Sequence, residues 1–152
     1  MSKFVFEITL RRLGDHVVEA TGGTDGRIVM GPKGTPNSFT PVELLLAAIA
    51  GCSGVDLCTL SERDGIEVGE FELRVRGEKR TGATRLSNIA VTYVLPEADP
   101  DVVAPLVVEA SGLCTVALTV SEGCPVQHVL AGPDGAAATD SDRSRPRYGL
   151  EL

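Results

Sequence analysis

The chain has no tryptophan and little aromatic material of any kind, four Phe and two Tyr in 152 residues. A core must therefore be built from Val, Leu, Ile and Ala. Its two histidines, His16 and His128, are isolated in the sequence and form no metal-binding pattern with the cysteines. It also lacks any block of positive charge. The net charge is −7, which argues against a nucleic-acid partner or an anionic membrane surface. There is no Ser-His-Asp motif, and Gly22-Gly23-Thr24-Asp25-Gly26 is a turn signal, too weak for a phosphate loop.

The N-terminus alternates like a strand and lacks the apolar centre of a signal peptide. The apolar stretch from Leu44 to Leu60 is interrupted by Asp56 and falls short of the clean run of about 20 apolar residues that spans a bilayer. The expectation is a cytosolic protein and no membrane partner. In that compartment thiols stay reduced unless they are catalytic or sensing. The four cysteines then point to chemistry or packing before a static disulfide framework.

The length suits one domain with a real core. Alternation at Phe4, Phe6, Ile8 and Leu10 predicts a first strand, with a turn at Leu13-Gly14-Asp15. Val17 to Ala20 and Arg27 to Met30 follow as strands around the glycine turn. Thr40, Pro41 and Glu43 form a T-x-x-E capping signature for a helix that runs to about Arg63 and stops at Asp64-Gly65. Ile66 to Arg76 reads as a strand broken near Gly69, and Ile89 to Leu95 as the next. Asp99-Pro100 or Ala104-Pro105 opens a second helix, and its regular part is expected to begin near Pro105, because proline does not sit deep inside a helix. It carries Leu113, Cys114 and Leu118 and ends at Glu122-Gly123. Cys124 to Leu130 reads as a last strand. Residues 1–131 are thus expected to form one α+β domain, with residues 132–152 a polar, loosely attached tail.

Within this order, Cys52 occupies the middle of the first apolar helix, between Gly51 and Gly54. A thiol there is poorly placed for surface chemistry and well placed to meet an apolar substrate in a closed pocket. Cys114 lies on the second apolar helix. Two cysteines on two core helices meet the requirement of an intramolecular dithiol redox cycle. The first helix is apolar nearly all round, so one small sheet cannot cover it, and a homodimer with the cysteine helices central is expected. Gly51 and Gly54 would let another helix pack closely, and Cys58, on the far side from Cys52, is expected in the core.

The run Thr-Pro-Val-Glu-Leu-Leu-Leu-Ala-Ala-Ile-Ala-Gly-Cys-Ser-Gly-Val-Asp, residues 40 to 56, resembles the first-cysteine helix of the OsmC/Ohr family, the osmotically induced and organic-hydroperoxide-resistance proteins. Ser-Gly-Leu-Cys-Thr-Val-Ala, residues 111 to 117, resembles its second-cysteine helix. The resemblance covers roughly residues 3 to 131. It implies an intertwined α+β homodimer and a cofactor-free thiol peroxidase that reduces organic or lipid hydroperoxides. The family's peroxidatic cysteine maps onto Cys52. Its resolving cysteine maps onto Cys114, while Cys124-Pro125-Val126 also matches a family Cys-Pro-Val. In the Ohr branch an arginine follows the Gly-Gly of the first turn. Here Thr24 stands at that position and Arg27 comes three residues later. That branch's active-site glutamate falls on Val42, one residue before Glu43.

The implied chemistry is attack of the Cys52 thiolate on a peroxide oxygen, giving a sulfenic acid. Cys114 condenses with it to a disulfide, and an external dithiol resets the pair. Because burial raises a thiol pKa, a cation is needed, and Arg27 is the candidate. Its alternative is a solvated turn residue. Glu43 lies about half a turn round the helix and ~13 Å along it from Cys52. It therefore serves as a cap or acts across a dimer. Asp56, at i+4 from Cys52, would raise the thiol pKa and is not counted as catalytic. The rival reading is a non-catalytic binding protein that holds a lipophilic ligand in the same interface.

Overall fold

The computed structural model describes residues 4–123. Two antiparallel sheets and three helices make an α+β fold. β1 (Ile8–Gly14), β2 (Val17–Gly22) and β3 (Arg27–Met30) form the first sheet, in sequential order. The first strand begins later than the alternation from Phe4 predicts. β2 supplies partners only from Val17 to Gly22, and Ile8 already faces Gly22, where the chain turns away. Residues 4–7 therefore have no ladder partner among the described residues. The connection bends at Asp15-His16 with a register shift between Arg12 and Gly14. After β3, Phe39 returns to bridge Met30, and its carbonyl accepts from the Gly31 N–H at 3.0 Å.

α1 (Pro41–Asp64) has the expected bounds because both ends are written in the sequence. The Thr40 hydroxyl accepts from the Glu43 N–H, and the Glu43 carboxylate accepts from the Thr40 N–H at 2.8 Å. At the far end Gly65 takes the left-handed conformation, φ 65°, which glycine adopts without a Cβ penalty. One side of α1 is buried through Ile49, Ser53, Leu57, Leu60 and Ser61. By length and composition α1 could cross a membrane (mean hydropathy 1.8). In this fold it is the spine of a core, and its buried side carries two serines.

Residues 66 to 71 do not extend the next strand. Gly69 is left-handed, φ 63°, so β4 starts only at Glu72 (Glu72–Glu78) and pairs with β5 (Asn88–Val94). Val68 instead enters the core. α2 (Pro100–Leu113) begins five residues before Pro105, contrary to the expectation from that proline. Asp99 is the cap, its carboxylate accepting from the Asp101 N–H at 3.0 Å. Pro105 deprives only the Asp101 carbonyl of its helical partner. Asp101 is exposed in the first turn, so that carbonyl is not sealed in the core. The second helix is also not continuous. Cys114 has φ −60° and ψ 98°, so the chain breaks there and restarts as α3 (Thr115–Glu122) at 58° to α2.

The core joins Leu57 and Leu60 of α1 to Val103, Leu106 and Ala110 of α2, with Val68 between them and Phe71, Tyr93 and Leu95 packed around. β4 lies against α1 because Gly54 has no side chain. A Cβ there would stand 3.2 Å from Leu73 Cδ1. The close approach at Gly54 is thus to a strand rather than to the expected helix, and Gly51 faces open space. Arg63 clips α1 to α2 through Glu109 at 2.6 Å. The β1–β3 sheet packs against none of the described helices along its length. The expected strand at residues 124–130 and the tail at 132–152 lie outside the described residues.

Candidate functional site: the dithiol at the helix break

The first signal for this site is the break at Cys114. It converts the middle of an apolar helix into a new helix start. The Cys114 side chain occupies the cap position of α3, where its sulfur accepts from the Ala117 N–H at 3.4 Å. The buried Ser53 hydroxyl of α1 donates to the same sulfur, also at 3.4 Å. Cys114 is fully buried, whereas Cys52, one residue before Ser53, is half-buried. The Cys52 thiol donates toward the Asp56 carboxylate at 3.8 Å. The two sulfurs and an Asp56 carboxylate oxygen all lie within 4.8 Å of one another.

Electrostatics separates the two thiols. Burial pushes Cys52 up, and the Cys114 sulfur and the Asp56 carboxylate add to it; a Val116 N–H works the other way. Burial also acts against ionisation of Cys114, but the donors from Ser53, Ala117 and Cys52 together outweigh it and hold that thiol below its usual range. The first turn of α3 thus points N–H groups at both sulfurs, and a helix N-terminus favours the thiolate. This donor set went unread in the sequence. The β-branched residues Thr115 and Val116 after Gly112 were its only trace.

The structure brings Cys52 and Cys114 together and leaves the other two proposed site residues elsewhere. Arg27 lies on the first sheet, 3.7 Å from Glu19. Glu43 closes the capping box, and the Thr40 backbone and hydroxyl hold its carboxyl below the usual range. Asp56 pairs with no Lys, Arg or His among the described residues. Cys58 is exposed, not core, because the side of α1 that carries it has no cover among the described residues. It lines an open groove of about 510 Å³ with Gly51, Gly54, Val55, Phe71 and Leu73.

Residues 34–129 match the family model described as OsmC-like protein. The chain belongs to the OsmC-like protein family. Protein YhfA of Escherichia coli K12 is 26% identical to the OsmC-like chain over 106 residues, covering 67% of it and 79% of YhfA. Among solved structures, an OsmC-like protein from Mycoplasma pneumoniae superposes with a TM-score of 0.69 at 19% identity, covering 80% of this chain and 91% of that one. The organic hydroperoxide resistance protein OhrB of Bacillus subtilis superposes with a TM-score of 0.54 at 23% identity, covering 79% and 92%. At these identities the structural likeness establishes the OsmC fold alone.

Proposed function

We propose that this OsmC-like chain is a dithiol peroxidase for organic or lipid hydroperoxides, with Cys52 as the attacking sulfur and Cys114 as its partner. The observation that carries the reading is the approach of the two sulfurs to within 4.8 Å. A disulfide needs about 2.0 Å between sulfurs, so forming the bond requires the two side chains to close in from that separation. Cys52 is the more exposed of the two, so a hydroperoxide meets it first. Its thiolate attacks the terminal peroxide oxygen, the O–O bond breaks, and the alkoxide takes a proton and leaves as an alcohol. Cys114 then attacks the sulfenic sulfur, water leaves, and a disulfide remains. An external dithiol reduces it and is itself oxidised. In a cytosolic setting such a reductant is at hand.

No described cation stands at Cys52, and burial, with Cys114 and Asp56, pushes its thiol up. Activation is assigned to a second copy of the chain. The apolar outer face of α1 and the unpacked β1–β3 sheet are the surfaces such a homodimer would bury, and the sheet carries Arg27. In this reading Glu43 acts across the same interface or serves only as the cap. The second reading is a protein that holds a lipophilic ligand in the apolar groove beside Gly54. The raised Cys52 thiol favours it.

Peroxide consumption with a dithiol reductant decides between them, comparing the wild type with Cys52→Ser, Cys114→Ser and Cys124→Ser. The expected result is turnover in the wild type and Cys124→Ser, none in Cys52→Ser, and arrest after one turnover in Cys114→Ser. Absence of wild-type turnover supports the binding protein. Full turnover in Cys114→Ser with arrest in Cys124→Ser moves the partner sulfur to Cys124.

A further inference from the structure

The OsmC-like site holds one group that peroxide chemistry does not use. Asp56 places a carboxylate oxygen within 4.8 Å of both sulfurs. It has no basic partner among the described residues, and its described hydrogen bond is the one from Cys52. The three side chains approach from two directions. Cys52 and Asp56 are one helical turn apart on α1, and Cys114 sits at the joint between α2 and α3.

We propose that Cys52, Asp56 and Cys114 form a binding site for a thiophilic divalent cation of the zinc or cadmium class. Two sulfurs and one carboxylate oxygen are a donor set for such ions, and three protein ligands leave a fourth position for water or another donor. In a tetrahedral zinc site the sulfurs stand about 3.8 Å apart. The present separation of up to 4.8 Å needs an inward shift of ~1 Å, within reach of side-chain rotation. The N–H groups of Val116 and Ala117 do not compete for the metal. Each uses one lone pair of a sulfur and leaves others free. The Ser53 hydroxyl holds Cys114 in place from the opposite helix, the kind of outer support that orients a ligand. The site does not depend on peroxidase activity. A chain that turns over no peroxide would still bind the ion.

The test is calorimetric titration of the reduced full-length protein with Zn²⁺ and with Cd²⁺, together with the cobalt absorption spectrum that reports tetrahedral thiolate ligation. The expected result is one ion per chain. Affinity should fall by at least about tenfold in Asp56→Asn, and further in Cys52→Ser and Cys114→Ser. Cys58→Ser and Cys124→Ser should bind like the wild type. Asp56→Asn keeps both thiols and the helix surface, so it remains decisive if a cysteine variant fails to fold by circular dichroism. Equal affinity in Asp56→Asn and the wild type overturns the site. So does loss of binding in Cys58→Ser or Cys124→Ser, or the absence of thiolate bands in the cobalt spectrum.

Discussion

The two halves of this chain treat the same kind of residue in opposite ways. In the helical half, Leu57 and Ala110 are fully buried and Leu106 nearly so. In the first sheet, Ile8 and Leu10 are 72% and 55% exposed, and Phe6 before them is 93% exposed. Both segments carry large apolar side chains. The difference lies in what is available to cover them. α1, α2 and the β4–β5 hairpin fold onto one another, whereas the three-stranded sheet lies along none of the described helices. The same contrast divides α1 itself, buried along Ile49, Ser53 and Leu57 and open at Leu45 and Val55. Burial here follows what the neighbouring elements supply, and hydrophobicity alone does not decide it.

The sharpest break of this comparison is a pair of truncations. Leu57→Ala should cost about 2–5 kcal/mol in urea denaturation, because it empties a site that closes poorly. That loss should not depend on protein concentration. Leu10→Ala should cost less, and its loss should vary with concentration if a second copy covers the sheet. A loss in Leu10→Ala that is the same at all concentrations would place its cover within the chain. Next in size is Val55→Asp. Val55 is 66% exposed, so a single chain should tolerate the charge within about 0.5 kcal/mol. The proposed dimer, read by sedimentation, should weaken at least about tenfold, because a buried unpaired carboxylate is costly.

The smallest effect concerns the clip that ties α1 to α2. Hydrogen bonds from Arg63 hold the Asp64 and Glu109 carboxyls below their usual range. A carboxyl whose folded value is depressed stabilises the fold above its unfolded value and loses that contribution as pH falls through the folded one. Stability should therefore decline on the acid side, and Glu109→Gln should flatten part of that decline. Urea midpoints from neutral pH down to about 3 measure it. The groups are exposed, so the effect should shrink further in high salt.

The sequence was most readable where a local rule has no competitor. Thr40, Pro41, Glu43 and Gly65 set both ends of α1, because caps act within one turn. β3 was read to the residue, since glycines and prolines bound it on both sides. Errors arose where one residue carried the inference alone. Of the two openings that the sequence offers for α2, Pro105 points to the wrong one, because the Asp99 cap decides the start and the proline loses only one bond. The strand expected from Ile66 failed at the left-handed Gly69. The break at Cys114 was missed, since apolar spacing continues across it from Leu113 to Leu118. The meeting of Cys52 with Cys114 was legible only through the family resemblance, because periodicity says nothing about which helix faces meet. Asp56 was visible at i+4 from Cys52, but its closeness to the second sulfur depends on that unread break.

Gly54 has a consequence for any molecule that enters the groove beside it. Phe71 and Leu73 make the floor of that hollow, and Leu73 lies so close to the helix because residue 54 ends at a hydrogen atom. The depth of the hollow is therefore set by a missing methyl group. Alanine at this position would raise the floor while leaving the rim of Val55, Thr59 and Glu62 in place, so a guest would be excluded by size before any of its contacts were lost.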